Sequence, residues 1–489
     1  MHCSYCGSID FKGLGVHHLG NKRKSAYKCM KCGEKHYEDY SPPKPVFDES
    51  YVITSATDGF PTNKRFLKVL ENYCAVNGSK LVILPVNNNA KFNDGNYDDD
   101  VKKYLTADNI HVGTEIVILG TAKLGTNLEN PLRSLDAFSK GKTVVFGHPQ
   151  VQLKTLPRKS EMYPPIMTTT GSVSIPKYTE NKTAQKANFN HSYSALFISK
   201  NGQHLRHLNF DGEGFYDIGK YYTEESVSDE NKISAIVTGD EHVMFYNKGV
   251  FEATYGSGGI VETLKPDYIV RHDVLDCYSI SHHHHNNVFI KYGKRLANID
   301  SIQEELNVTL DFIENTTPPS SQSVIVPSNH NSHLLRWLNE CNPKHDMVNA
   351  KIYHQLMYLM LDNLKVDDNV PVYPDPFALY GKLKKTSDNV RFLSTDDNFI
   401  VEGIDLNNHG DLGINGTRGS RIQYNQLPLK TIIGHSHSPG IEKGSYQVGT
   451  SSDLRLDYNK GLSTWHHCHC LVYPNGKRQL IFIVDGKWC

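Results

Sequence analysis

The chain has almost no net charge, −1 over 489 residues. It therefore lacks an overall field, and any contact with nucleic acid has to come from a local patch. It has no apolar run approaching the roughly 18 residues needed to span a bilayer, and its N-terminus shows no signal-peptide pattern. These absences exclude a membrane partner and point to the cytoplasm. Tryptophan is scarce, at 3 residues, but 38 % hydrophobic and 21 % charged residues match an ordinary globular protein long enough for about three domains. A P-loop is missing as well, because Gly256-Ser-Gly-Gly259 lacks the Lys-Ser/Thr that would follow it and reads as a turn.

Ten cysteines do not make a disulfide framework here, since four form two C-x-x-C pairs and the rest are scattered. Cys3-Ser-Tyr-Cys6-Gly7 and Cys29-Met-Lys-Cys32-Gly33 are two knuckles separated by 22 residues, enough for a short β-hairpin. Four thiolates at this spacing suit one structural Zn²⁺, and a module this small needs the metal to fold. His17, His18 and His36 lie nearby but find the coordination sphere already filled. The same stretch carries Lys12, Lys22, Arg23, Lys24, Lys28, Lys31 and Lys35 against Asp10 and Glu34, with Tyr5, Phe11 and Tyr27 interleaved. Cations beside stacking surfaces suit DNA or RNA, although a ribbon of this kind also serves protein contacts.

A linker rich in proline (Pro42, Pro43, Pro45) covers 37–50. Tyr51-Val-Ile-Thr54, Leu81-Val-Ile-Leu84, Ile116-Val-Ile-Leu119 and Thr143-Val-Val-Phe146 read as strands, with a helix over 63–76, so 51–150 is expected to be a small parallel α/β unit. Polar turns follow at Thr54-Ser55 and Asn87-Asn88-Asn89. Residues 150–230, with His191, His204 and His207, show no ordered ligand pattern and are expected to serve packing or assembly.

From 230 onward one grammar recurs, a short apolar run of β-formers followed by a possible ligand. Ile233–Val237 runs into Asp240 and His242, Asp267–Val270 into His272-Asp273 and Asp276, and Ser323–Val326 into Asn329-His330. Asn398–Val401 leads to His409, and Thr431-Ile-Ile433 into Gly434-His435-Ser436-His437. Open α/β sheets gather ligands outside the carboxyl ends of their strands, so five such ends would converge on one crevice. His345 and His354 compete with His409, which is preferred because it follows a strand while His354 sits in a helical pattern over 350–361. The tetrad His282–His285 could reach a substrate phosphate or form a solvated loop.

In order and type these blocks resemble those of the calcineurin-like metallophosphoesterase superfamily, D-x-H, G-D-x-x-D, G-N-H-D/E, a lone His and G-H-x-H. The departures are His272 for a glycine, and Ser328 and Asn331 in place of a glycine and an acidic residue; neither removes a ligand. The resemblance implies a four-layer α/β/β/α sandwich over 230–489; the patterns before it give an α/β accessory domain over 51–228 and a zinc ribbon over 1–40. It implies that Asp240, His242, Asp273 and His437 hold one metal and that Asp273, Asn329, His409 and His435 hold the other, with Mn²⁺ suiting the O/N ligand set. His330 would protonate the leaving oxygen, with Asp276 orienting its ring. The superfamily's repair exonucleases make a DNase the leading expectation. Middle regions similar to this one stand beside the same blocks in DNA-degrading early proteins of some large tailed phages, which would place the chain in the host cytoplasm. A phosphodiesterase or phosphatase acting on a small or protein substrate is the first alternative, and a nucleic-acid-binding ribbon protein with an inactive phosphoesterase domain the second. A homo-oligomer is compatible with each.

Overall fold

A computed structural model describes residues 3, 6, 8–19, 22–39, 49–87, 94–120, 122, 124–159, 163–200, 204–229, 231–456 and 459–489. The linker prolines, Tyr5, Asn88 and Asn89 lie outside the described residues, as do the side chains of His17, His18, Lys22 and Arg23. The chain divides into two compact units, 1–46 and 47–489.

In the first unit the expected hairpin is present, Phe11–Leu19 pairing antiparallel with Lys22–Cys29, and a third strand, Lys35–Asp39, joins it. The second knuckle closes through Gly33 N–H donating to the Cys29 carbonyl, with Gly33 at φ +80°, a conformation that glycine adopts without a Cβ penalty.

The second unit is mixed α/β, with sheets of four, six and ten strands. Ser50–Thr57 and Ser79–Val86 pair in parallel through the helix Lys64–Asn77, which starts where the Asn63 side chain caps Phe66 N–H and stops at left-handed Gly78. That helix buries Phe66, Leu67, Val69, Leu70, Tyr73 and Cys74 on one face. Ile116–Leu119 and Thr143–Phe146 also pair in parallel, but in the ten-stranded sheet, so 51–150 feeds two sheets instead of one parallel unit. The pattern of apolar residues makes a strand, yet all four residues of Thr143–Phe146 are buried, and a strand buried on both faces carries no sign of which sheet it joins.

The same ten-stranded sheet crosses the boundary expected near 229. Gln152–Thr155 pairs antiparallel with Gly440–Glu442, Leu153 opposite Ile441, and the sheet continues to Lys430–Ile433 and beyond. Residues 47–489 accordingly form one compact unit, and one cluster of buried side chains, with Leu153 and Ile441 in it, runs across that boundary.

The six-stranded sheet positions the site. Its strands Val390–Phe392, Gln322–Ile325, Tyr268–Arg271 and Ala235–Val237 run parallel, and Cys468–Val472 and Arg478–Phe482 complete it in antiparallel fashion. Alternation along these strands sorts the two faces: Val237, Val270 and Val324 enter the core shared with the other sheets. Ile236 and Ile269 pack instead with Val250, Ala253, Ile260 and Leu264 of two short helices, and Ile325 packs with the helices Ile302–Asn315, Asn329–Glu340 and Ala350–Asp362. Helices thus cover one face and sheet the other. No helix among the described residues is long and apolar enough to cross a membrane.

Candidate metal centre

Beyond the carboxyl ends of Ala235–Val237 and Tyr268–Arg271 the backbones stay zipped together. Glu241 N–H donates to the His272 carbonyl, His242 N–H to Asp273 and Val243 N–H to Val274, while Asp240 N–H donates to Gly449 and Ser451 N–H to Asp240. The ladder holds two ligand-bearing turns side by side. Beneath it Arg271 and Glu241 form a fully buried pair, Nη1 to Oε1 at 3.0 Å. These two turns and a third, after Lys430–Ile433, carry unusual backbone: His242, Asp273, His435 and His437 have φ of 43°, 44°, 70° and 58°. Side chains rarely adopt that region, and its concentration at four candidate ligands marks a place where position outweighs local comfort.

Gly434 has to be a glycine, since a Cβ there would lie 2.2 Å from Asp240 Oδ1. With the backbone so close, Asp240, His242, Asp273 and His437 converge until their ligand atoms all lie within 4.8 Å of one another, every one buried. His242 Nε2 is 2.9 Å from His437 Nε2, and His437 Nε2 is 3.1 Å from Asp240 Oδ2. On the other side of Asp273, its Oδ2 lies 3.1 Å from His409 Nε2. The His409 and His435 rings are 5.3 Å apart, and His435 Nδ1 is 3.1 Å from Asn329 Oδ1. Asp273 stands between the two sets. His345 and His354 lie on other elements, the turn Pro343–His345 and the helix Ala350–Asp362.

The donors fit metal ions. Oδ1 of Asp240 and Oδ1 of Asp273 are buried with no hydrogen-bond donor among the described residues. A buried carboxylate left in that state costs several kcal/mol unless a cation takes the place of the donor. Burial alone would raise the Asp273 pKa, but the facing His409, His330 and His242 imidazoles hold it well below the usual carboxylate range. Burial likewise opposes charge on His409, yet Asp273 outweighs it and lifts that imidazole to about 9. His242 also reaches about 9, Asp276 being the first of its carboxylates to overcome burial. The pocket draws positive charge even without metal, and a divalent ion would displace those protons.

One expected relation is different. The Asp276 carboxylate does not orient His330; its Oδ1 accepts from His242 Nδ1–H at 2.8 Å. The Asp276 backbone carbonyl instead accepts from His330 Nδ1–H at 2.8 Å, leaving His330 Nε2 3.9 Å from Asp273 Oδ2. The cause is the turn of chain at Asp276, which points its side chain back at the first block and its carbonyl at the helix Asn329–Glu340. A carboxylate behind a candidate ligand fixes that ring's tautomer and raises its basicity.

Several neighbours carried little or no sequence signal. His272 is buried against the centre, Nδ1 3.3 Å from His409 Nδ1, and was visible only as a departure from the motif. Trp465 packs edge-on against His437 with centroids 4.1 Å apart. His469 Nδ1 accepts from Gly239 N–H at 2.8 Å, which pins the turn before Asp240. Neither Trp465 nor His469 stands at a ligand spacing.

In the N-terminal unit the four cysteines also gather, their sulfurs all within 4.8 Å of one another. Cys3 Sγ lies 3.5 Å from Cys32 Sγ, and His36 Nε2 approaches Cys3 Sγ at 3.3 Å as a neighbour of the cluster. Four sulfurs this close could hold a metal ion.

Comparison with known proteins adds a likeness. The chain is 29 % identical over 469 residues to Protein A1 of Escherichia phage T5, an alignment covering 90 % of this chain and 82 % of that protein. The chain resembles a phage protein over most of its length. The similarity therefore reaches beyond the segment 230–489 that carries the histidine and aspartate blocks. No protein-family model matches the chain.

Proposed function

We propose that the chain is a metallophosphoesterase that hydrolyses DNA phosphodiester bonds with two divalent cations, Mn²⁺ suiting the site, and that it acts in the host cytoplasm during phage infection. The observation that carries the reading is Asp273, a buried carboxylate with one oxygen free of donors and with His242, His330 and His409 around the other. Asp240, His242 and His437 would hold one ion beside it, and Asn329, His409 and His435 the other. Two cations bound there would activate water and neutralise charge developing on the scissile phosphate.

The residues of the chain do the rest. Asp276 holds the His242 ring by its Nδ1, and the zipped backbone keeps Asp240 and Asp273 abreast. His330, 22 % exposed by its side chain and anchored through Nδ1, presents Nε2 to the site, where it can protonate a leaving oxygen. A DNA substrate is supported by the ribbon, where Lys12, Lys24, Lys28, Lys31 and Lys35 accompany Phe11 and Tyr27 on a small sheet. The likeness to a phage protein supports the setting.

The test is cleavage by the purified full chain, with Mn²⁺ or with chelator, of linear DNA, circular DNA and a chromogenic phosphodiester. Metal-dependent loss of DNA, abolished in Asp273→Ala, is expected. Turnover of the chromogenic diester with DNA untouched would move the substrate to a small phosphodiester, and no turnover of any substrate would leave a binding protein.

A further inference from the structure

The histidine tetrad has a partner that its own stretch does not contain. His282–His284 forms a short 3-10 turn, and His333, one turn into the helix Asn329–Glu340, stands across from it. The His282 and His283 rings lie 3.8 Å apart, His282 and His333 4.8 Å, and His283 and His333 6.1 Å. One ring nitrogen from each falls within 4.8 Å of the other two. Nitrogens on a tetrahedral zinc at about 2.0–2.1 Å are about 3.4 Å apart, so rotations worth about an ångström would close the set. His282 Nδ1 is buried with no hydrogen-bond partner among the described residues.

We propose that His282, His283 and His333 form a further metal site, separate from the Asp240–Asp273 centre and from the cysteine cluster, that takes a divalent transition cation of the zinc or nickel class. Three imidazoles with no carboxylate select such ions over Mg²⁺ or Ca²⁺, and a fourth position stays open to water. Burial, and then the neighbouring His330 and His282, hold His333 down to about 4. It is thus neutral at neutral pH, as a ligand must be. An anion is the poorer occupant, because the nearby Arg336 is already paired with Glu340 at 2.9 Å.

The place of the site gives it a consequence. The His333 ring lies 5.2 Å from that of His330, and Asn329, His330 and His333 share one helix. An ion bound by the trio would pin the 282–285 turn to that helix beside the proposed proton donor. It would also form one wall of an open cavity of about 600 Å³ lined by Ser279, His284, Lys294, Arg336 and Trp337 among others.

The experiment counts metal and does not depend on the nuclease reading. The full chain and two variants, His282→Ala/His283→Ala and His333→Ala, are brought to equilibrium by dialysis at one fixed free Zn²⁺ concentration, and again with Ni²⁺. Bound metal per chain is then measured by elemental analysis. Each variant should hold one equivalent less than the wild type, with circular dichroism unchanged. The double variant alters only an irregular turn, so it keeps the test alive should His333→Ala fold poorly. Equal metal in the wild type and the double variant would overturn the site.

Discussion

Replacing Arg271 by methionine should unsettle the candidate metal centre without touching a candidate ligand. Its guanidinium is fully buried, and Nη1 reaches the Glu241 carboxylate at 3.0 and 3.2 Å and Tyr255 Oη at 2.8 Å. Nη2 donates to Thr316 Oγ1 at 2.8 Å and Nε to Ser323 Oγ at 3.0 Å. Glu241 sits between Asp240 and His242, and Arg271 directly precedes His272-Asp273, so the pair joins the two turns that carry the centre. Methionine fills much of the volume but leaves Glu241 buried with the Tyr255 hydroxyl as its remaining side-chain donor. Breaking a buried pair from one side costs about 3–5 kcal/mol, a large share of the roughly 5–15 kcal/mol by which domains are stable. Exchanging both partners for apolar side chains is far milder, so Arg271→Met/Glu241→Leu should regain most of the loss. Denaturant unfolding of the Mn²⁺-loaded chain, wild type and both variants side by side, reads the difference. A single variant that loses less than about 1 kcal/mol, or a double variant no better than the single, would refute the reasoning.

His330→Ala is expected to keep its metal yet lose about 10²- to 10⁴-fold in kcat, the usual worth of general acid help, whereas Asp276→Asn should shed metal because its carboxylate backs His242; elemental analysis beside DNA-cleavage rates checks both, and His330→Ala losing metal in step with rate would make it a ligand. Glu305 supplies a pH signature: burial, and then Asp276, raises its carboxyl from 4.5 to about 7 although Ser279 and Tyr278 donate to it. Its folded-state pKa lies above the unfolded value, so its contribution to stability is complete below pH 4.5 and is lost as pH rises through about 7. Urea midpoints taken on either side of that window should fall more in the wild type than in Glu305→Gln, and parallel shifts would remove Glu305 as the cause.

The candidate centre was legible because each block is local: an apolar run sets a strand, and the next few residues fall at its end. Asp240, His242, Asp273, Asn329, His409, His435 and His437 could all be read that way, and the structure gathers them. The helix near 63–76 was legible for a similar reason, since Asn63 is its cap and Gly78 its stop. What the sequence could not carry was the choice of distant partners. Nothing in Gln152–Thr155 announces Gly440–Glu442, because a fully paired strand records burial and not the identity of its neighbour. Side-chain direction at turns was equally hidden: Asp276 faces His242 because of backbone that spacing does not encode. His333 went unremarked because a single histidine on a helix acquires meaning only through the turn opposite.

The position of Ala235–Val237 within its sheet has a consequence for how the molecule is made. This strand lies between Tyr268–Arg271 and Cys468–Val472, and the latter is held in turn by Arg478–Phe482. A growing chain therefore emerges from the ribosome with the Asp240 strand bare on one side until synthesis has passed Val472, more than two hundred residues later. Pairings across such long separations are slow to close, because their loop entropy is met before any contact rewards it. His435 and His437 arrive late as well, so the candidate centre can assemble only after they have been made. If the centre cuts DNA, a product of interrupted translation that stops before His435 would lack two of its candidate ligands and should not cut.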